Sequence, residues 1–272
     1  MGKHLSIMRR RAEARRTLQQ VDEKRDQTLI IHYSCESFYD IKDGRTPRIT
    51  SIAVRHFASG NTDSFSIHKS AELGKIPFPE ITQNYDELER AMLDEFFTFL
   101  SQHQNYNFVH WNMRDINYGF QAIEHRYKVL GGSPCLIHDS RKLDLPRLLI
   151  SIYGVGYASH GESGRLHTLM ALNKVKSKDV LNGAAEAKAF DDQEYVKLHQ
   201  STLKKVDVIA NLLERFLDGS LKTEATWEER HGHHPKALLE YMQEHWVSSL
   251  IGLIIALISL VAIFFPEALA FG

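Results

Sequence analysis

Polar side chains alternate along one apolar stretch of the chain, and their types could support chemistry. Residues 28–38 read Thr-Leu-Ile-Ile-His-Tyr-Ser-Cys-Glu-Ser-Phe, so His32, Ser34 and Glu36 occur at every second position. In a β-strand this spacing places the three side chains on one face of the sheet. A carboxylate beside a buried strand is costly unless it is paired or binds a metal. Glu36 is therefore either a metal ligand or a salt-bridged structural residue, and the strand alone favours the second interpretation.

Two further groups of ionisable residues could complete such a site. Residues 110–115 read His-Trp-Asn-Met-Arg-Asp at a predicted strand-to-helix junction, where Asp115 is also typical of an ordinary helix start. Asp207 lies in the apolar stretch 206–213 of a predicted late helix, so its carboxylate needs a partner. His32 could bind softer divalent metals, although a hydrogen-bonded core histidine is the simpler interpretation.

Taken together, these residues give the chain a resemblance to the DnaQ-like (DEDD) exonucleases of the RNase H-like superfamily. In that family the first strand carries Asp-x-Glu, a second motif reads His-Asn-x-x-x-Asp, and a late helix supplies a final Asp. The acidic residues hold two divalent ions that activate water and stabilise the leaving oxygen in phosphodiester hydrolysis. The resemblance covers about residues 28–221. It implies that Glu36, Asp115 and Asp207 hold Mg²⁺ or Mn²⁺, with His32 as a further ligand.

The sequence departs from the family pattern at the first acidic position and at the general base. Ser34 stands where the family has its first Asp, which removes one carboxylate from the expected site. Family members place a histidine five residues, or a tyrosine four residues, before the last Asp, and here those positions are Thr202 and Leu203. Neither side chain can act as a base. His199, about two helical turns before the last Asp, and His110 are the remaining candidates for proton transfer.

The elements that must position these residues predict an α/β fold. Strand patterns occur in four stretches, of which the first three form a predicted antiparallel meander: 28–38, 48–57, 63–68 and 106–111. Apolar residues at helical spacing, bounded by turn residues, predict helices at 86–102, 115–130, 144–153, 165–173 and 192–216. Strands first, then alternating helix and strand, indicate a mixed sheet flanked by helices. The family resemblance implies that this sheet is RNase H-like.

The segments that flank the predicted domain at 28–222 differ from it in composition. Residues 1–27 are rich in arginine and contain no proline, which predicts a basic extension that forms a solvated helix and could contact anionic lipid or nucleic acid. Residues 223–245 are polar and form a predicted linker. Residues 246–265 carry no charge, and at about 1.5 Å per residue they span the roughly 30 Å core of a bilayer. They predict a transmembrane helix, which a short tail at 266–272 follows.

Composition places few limits on the partners of this protein. The formal net charge is −1 at pH 7, so any binding to nucleic acid must come from a local patch. Cys35 and Cys135 provide neither a disulfide framework nor a zinc cluster, which suits a reducing compartment. One hydrophobic span close to the C-terminus predicts a single-pass membrane protein whose domain faces the cytoplasm. Gly252 and Ala256, four residues apart, could bring two such helices together in a homo-oligomer.

Two functions of different classes agree with these observations. The first is a membrane-tethered 3′-to-5′ exonuclease or related phosphodiesterase that uses a divalent metal. The second is a non-catalytic descendant that binds a nucleic-acid end or a nucleotide and signals to or through its membrane helix. Ser34 and Thr202 favour the second function, whereas Glu36, Asp115 and Asp207 favour the first. A role in defence against foreign nucleic acid would suit this architecture, on which alone that idea rests.

Overall fold

The computed structural model describes residues 3–37, 46–175 and 178–226, together with single positions at 229, 250, 254, 255 and 259. In this part of the chain, helices flank one sheet on both faces. The helices and strands are, in chain order, α1 (Lys3–Glu23), β1 (Thr28–Cys35), β2 (Ile49–His56), β3 (Thr62–Ser66), α2 (Ile67–Leu73), α3 (Tyr85–Gln102), β4 (Asn107–His110), α4 (Phe120–Val129), β5 (Lys142–Asp144), α5 (Leu145–Tyr153), α6 (Arg165–Leu172), α7 (Gly183–Asp191) and α8 (Tyr195–Leu217).

The five strands form one mixed sheet in the order β3-β2-β1-β4-β5. The first three strands are the antiparallel meander that the sequence predicts. β4 pairs in parallel with β1, so that His110 lies opposite Ile31, and β5 pairs in parallel with β4. The carboxyl ends of β1, β4 and β5 therefore lie along one edge of the sheet. The predicted α/β class, with a mixed sheet flanked by helices, is confirmed.

Side chains that alternate along β1 separate two hydrophobic layers. Leu29 and Ile31 belong to a core shared with α3 and α4, whereas Ile30 belongs to a second core shared with α1, α5, α6 and α8. Because side chains two apart on a strand share a face, His32 and Ser34 lie on the same side as Ile30. This face is the one that α8 covers, so the strand and the last helix of the domain meet there.

The N-terminal helix α1 differs from the solvated extension that the composition of residues 1–27 predicts. Ala14, Leu18 and Val21 are buried in the core that also contains residues of α5 and α8. Their spacing of four and three residues is that of one helix face. The prediction missed this face because its few apolar residues are separated by many charges. α1 is therefore an amphipathic helix packed on the domain, with arginines on its exposed side.

The loop before α4 accounts for the largest shift of a helix boundary. α4 begins at Phe120 instead of residue 115, because residues 111–119 form a loop closed by a β-bridge between Arg114 and Gly119. A Cβ atom at Gly119 would lie 2.6 Å from the Met113 backbone, so this close approach requires glycine.

Most of the residues after 226 lie outside the described part of the chain. The predicted linker at 223–245, transmembrane helix at 246–265 and tail at 266–272 fall largely or wholly among them. Among the helices that the structure describes, none is both long enough and apolar enough to cross a membrane. The membrane anchor, its orientation and an oligomer formed through it therefore stay predictions.

Candidate functional site

A cleft of about 990 Å³ opens where β1 and β4 end at the same edge of the sheet. We call it the sheet-edge cleft. Crevices beyond the carboxyl ends of parallel strands are common ligand sites in α/β proteins. The described residues that line it come from the ends of both strands, from the loops that follow β4 and α5, from α7 and from α8: His32, Cys35, Glu36, Ser37, Trp111, Asn112, Tyr118, His160, Gly183, Ala184, Glu186, Ala187, Lys188, Asp191, Asp192 and Lys205.

β1 brings two of the predicted site residues to this cleft. His32 is 5% exposed, and its Nε2 lies 3.4 Å from the Tyr118 hydroxyl. Burial, helped by the nearby charge of Lys205, holds the pKa of His32 well below its ordinary value, so the imidazole is neutral. The Glu36 side chain also lines the cleft, and its Oε2 accepts a hydrogen bond from the Arg48 backbone N–H at 3.3 Å. His32 and Glu36 thus line the same cleft, although β1 ends at Cys35 and its register is irregular between Ser34 and Cys35.

Ser34 lies on the same face of β1, but its hydroxyl is buried under α8. Its Oγ is 3.0 Å from the Thr202 Oγ1, so the two hydroxyl groups are hydrogen-bonded. Both residues are almost fully buried and do not line the sheet-edge cleft. The positions where the family has an acidic residue and a base therefore hold a small polar contact between strand and helix.

Lys205 is the charged group that α8 presents to the cleft. Its Nζ forms an ion pair with Glu186 Oε1 of α7 at 2.7 Å, and both side chains are largely buried. Lys205 lies three residues after Thr202, which is close to one helical turn, so the two residues share the face of α8 that covers β1. That face therefore presents a lysine to the cleft.

Asp115 and Asp207 line other surfaces. Asp115 is exposed in the loop before α4, where its Oδ1 accepts a hydrogen bond from the Asn117 backbone N–H at 2.8 Å. Asp207 is partly exposed on α8 and forms an ion pair with Arg55 of β2 at 3.1 Å. A second lysine of α8, Lys204, lies 3.8 Å from its other oxygen. The structure therefore places each of these carboxylates beside partners of its own.

The described donor set does not fit a two-metal centre. No three His, Cys, Asp or Glu side chains in the described part of the chain are grouped so that they could hold a metal ion. Of the four predicted ligands, Glu36 and His32 line the sheet-edge cleft, and the other two do not. Two-metal hydrolysis needs several carboxylates around both ions. Three further carboxylates line the cleft, Glu186, Asp191 and Asp192, and Glu186 is paired with Lys205.

His199, one of the two predicted proton-transfer residues, faces the outer strands. Its Nδ1 lies 2.7 Å from Ser51 Oγ of β2, and its Nε2 lies 3.5 Å from Ser64 Oγ of β3. The His68 ring is 5.1 Å away, centroid to centroid. Burial, followed by the charges of His68 and Lys69, lowers the pKa of His199 to about 4. The structure does not bring this imidazole to the cleft wall.

His110, the other candidate, lies at the end of β4 but faces a different pocket. Its Nδ1 accepts a hydrogen bond from the Met113 backbone N–H at 3.1 Å. Burial, followed by the charges of Arg114 and Lys142, lowers the pKa of His110 to about 3. It contributes to a neighbouring pocket of about 500 Å³, which Asp144 also lines. Neither predicted histidine is therefore in contact with the sheet-edge cleft.

Several cleft residues were not predicted from the sequence. Lys205 and Glu186 become a pair only when α7 docks on α8, and α7 was not predicted. Asn112 lies inside the quoted motif but adopts φ of +57°, a left-handed conformation that is uncommon outside glycine and often marks a functional loop. Trp111 and Tyr118 reach the cleft because the loop before α4 folds back on itself.

Cys35 is a free thiol on the cleft wall, yet it is unsuited to nucleophilic chemistry. Burial, followed by the charges of Glu186 and Glu36, raises the pKa of the thiol far above its ordinary value. The reactive thiolate form is therefore disfavoured.

Comparison with known proteins gives no guide to function, so the cleft is the main evidence. No protein-family model, curated protein or solved structure matches this chain.

Proposed function

We propose that this protein binds a nucleotide or the end of a nucleic-acid strand in the sheet-edge cleft and does not cleave it with divalent metal. The observation that carries the proposal is Lys205, whose ammonium group lies in the cleft on the face of α8 that covers β1, with Glu186 as its ion-pair partner at 2.7 Å. A lysine there supports binding of a phosphorylated ligand, whereas a two-metal nuclease needs a carboxylate.

The arrangement of elements supports an RNase H-like fold as part of this proposal. An antiparallel meander of three strands comes first, and helices alternate with two further strands that run parallel to β1. This order agrees with what the family resemblance implies. On this proposal the domain keeps the architecture of the nucleases, while the described carboxylates that line the cleft, Glu36, Glu186, Asp191 and Asp192, are not grouped as metal ligands.

The size and chemistry of the cleft suit a nucleotide. Its volume of about 990 Å³ is at the upper end of the roughly 300–1,000 Å³ that small-molecule sites occupy. Trp111 and Tyr118 offer aromatic surface for a base, and stacking of this kind tolerates any base sequence. Asn112 offers an amide that can donate and accept hydrogen bonds, and Lys205 offers a cation for phosphate.

Binding of labelled single-stranded DNA and RNA to the full-length protein tests the proposal. The variant that removes the cation is Lys205→Met combined with Glu186→Gln, because the second change avoids an unpaired buried carboxylate. Loss of a charged contact of about 1.5–3 kcal/mol should weaken binding about tenfold or more. Lys204→Met is the matched control, since Lys204 is a half-exposed lysine of the same helix outside the cleft. Equal binding by both variants, or none by the wild type, would contradict the proposal.

A metal-dependent 3′-to-5′ exonuclease is the second candidate function, and the Glu36 carboxylate on the cleft wall favours it. Titration of the protein with Mn²⁺, together with incubation of labelled DNA and RNA, separates the two functions. Tight Mn²⁺ binding that Glu36→Gln abolishes, with digestion of the labelled strand, would replace the binding proposal by the nuclease.

We further propose that residues 246–265 attach the domain to a membrane and that the domain faces the cytoplasm. The support is the charge-free composition of this segment and its length. On this proposal, occupation of the cleft is reported to the membrane by the same chain.

A further inference from the structure

A smaller pocket adjoins the sheet-edge cleft where α6 and α7 begin. It has a volume of about 190 Å³, and we call it the α6–α7 pocket. Several residues line both cavities, so a ligand could extend from one into the other: His32, Trp111, Asn112, His160, Gly183 and Lys205. The pocket is thus a lateral extension of the candidate site.

The first residues of two helices line this pocket. Gly164 and Arg165 are at the start of α6, and Asn182 and Gly183 are at the start of α7. The first turn of an α-helix carries backbone N–H groups that have no acceptor within the helix, and the helix dipole adds a partial positive charge. Two such ends at one pocket favour an anion there.

Buried nitrogens without hydrogen-bond partners occur on three of the side chains that line the pocket. His32, which is 5% exposed, has no partner for Nδ1 among the described residues. The same holds for Arg165 Nε and His167 Nδ1. Native proteins leave few buried polar atoms unsatisfied, so their concentration around one pocket indicates a missing partner.

The charge of the lining agrees with an anionic partner. Arg165 and Lys205 line the pocket, and none of the described residues that line it is Asp or Glu. Arg165 is held near the ring of Tyr157, with its guanidinium carbon 5.8 Å from the ring centroid. Glu186 compensates part of the charge of Lys205 from the neighbouring cleft. Arg165 forms no ion pair with a carboxylate among the described residues.

We infer that the α6–α7 pocket binds the phosphate group of a ligand whose remaining part occupies the sheet-edge cleft. This inference rests on the proposed function, because it assigns the terminal phosphate of the proposed nucleotide or strand end to this pocket. A guanidinium group and the N–H groups of two helix starts are donors that match phosphate oxygens. The Tyr118 hydroxyl donates to the Tyr33 carbonyl oxygen, so the neutral His32 ring donates to it through Nε2. His32 Nδ1 is therefore an acceptor, which a hydroxyl group of the ligand can satisfy.

Gly183 offers a substitution that tests the pocket without disturbing the fold. A Cβ atom added there meets no atom within 4 Å. Gly183→Asp introduces a carboxylate in the first turn of α7, where negative charge favours the helix itself. Gly183→Asn has nearly the same shape without the charge and is the matched control. A second pair is Arg165→Gln, with Arg16→Gln on the exposed side of α1 as its control.

Isothermal titration of the full-length protein with inorganic phosphate tests the pocket directly. We expect the wild type and Gly183→Asn to bind phosphate. Gly183→Asp and Arg165→Gln should bind it about 10- to 100-fold more weakly, because the first adds a like charge beside the anion and the second removes a charge-assisted contact. Absence of phosphate binding by the wild type, or equal binding by the Asp and Asn variants, overturns the inference.

Labelled strands with different ends test whether the phosphate belongs to a nucleic acid. Short single-stranded DNA and RNA carrying a phosphate at the 5′ or the 3′ end should bind about tenfold or more tightly than the same strands with hydroxyl ends. Binding that ignores the end group overturns the assignment of the strand end to the pocket and leaves the proposed function intact. Binding of phosphate without binding of any strand or of a mononucleotide has the opposite meaning, since the pocket stands and the proposed function fails.

Discussion

At the residue scale, two charged side chains on α8 have different surroundings although they are two positions apart. Lys205 faces the sheet-edge cleft and pairs with Glu186, whereas Asp207 faces β2 and pairs with Arg55. Two residues on an α-helix are separated by a rotation of about 200°, so they cannot share a face. The cleft therefore receives Lys205 from this helix and not Asp207.

The environment of Asp207 leads to a prediction about stability. Its ion pair with Arg55 is partly exposed, so Asp207→Ala should lower the free energy of unfolding by less than about 1 kcal/mol. Urea denaturation measures this change, with Asp63→Ala as the control, because Asp63 forms a similarly exposed pair with His56. A loss of 3–5 kcal/mol would instead indicate a buried pair. A loss of Mn²⁺ binding would restore Asp207 as a ligand.

Single residues also show where sequence reasoning succeeds and where it stops. Alternation along β1 correctly places His32 and Ser34 on the face of Ile30, because side-chain direction in a regular strand follows from position alone. It does not extend to Glu36, since the register of β1 is irregular between Ser34 and Cys35. The same reasoning cannot group Glu36 with Asp115, since that depends on how the loop at 111–119 folds. Nor does it find Lys205, whose role in the cleft depends on the docking angle of α8.

At the scale of elements, a buried ionic cluster joins α3, α4 and β2. Arg126 of α4 binds Glu89 of α3 with its Nη2 at 2.6 Å from Oε2 and is also 2.7 Å from Asp86. Glu89 is fully buried, and its Oε1 accepts the Ile49 backbone N–H at 2.7 Å. One carboxylate thus links two helices to the start of a strand.

Removing the cation from this cluster should be costly. Arg126→Met leaves the Glu89 carboxylate buried without its partner and should lower the free energy of unfolding by about 3–5 kcal/mol. Adding Glu89→Gln should recover part of the loss, because the amide oxygen can still accept the Ile49 N–H without a charge. Chemical denaturation of both variants measures this, with Lys188→Met as an exposed control. A loss below about 1 kcal/mol in Arg126→Met would contradict the prediction.

Helices with a clear pattern of apolar and turn residues are predicted accurately, whereas helices with few buried residues are not. α3 and α5 are predicted to within one residue, because apolar spacing and turn residues define them. α1 looks solvated in sequence because its buried face consists of few residues. α7 begins with Gly-Ala-Ala and has one fully buried side chain, Ala189, so its amphipathic pattern is too weak to recognise.

At the scale of the whole molecule, the sheet-edge cleft is lined by the helix that precedes the predicted linker and transmembrane segment. The cleft wall includes α7 and α8, and α8 is the last helix of the described domain before the predicted linker. A ligand that tightens contacts between α7 and α8 would therefore act on the element closest in sequence to the anchor. Ligand binding in the cleft could affect the membrane in this way only if residues 246–265 form the predicted anchor.

Truncation of the C-terminal segment tests the anchor. Removing residues 246–272 should convert a protein that needs detergent into one that is soluble without it, because the only long charge-free segment of the chain is lost. Removing only residues 266–272 is the matched control and should leave the protein in the membrane fraction after alkaline extraction. The longer truncation should also keep the unfolding midpoint of the domain, since its two main cores lie between α1 and residue 221. Full-length protein that stays in the soluble fraction without detergent would show that residues 246–265 do not span a membrane.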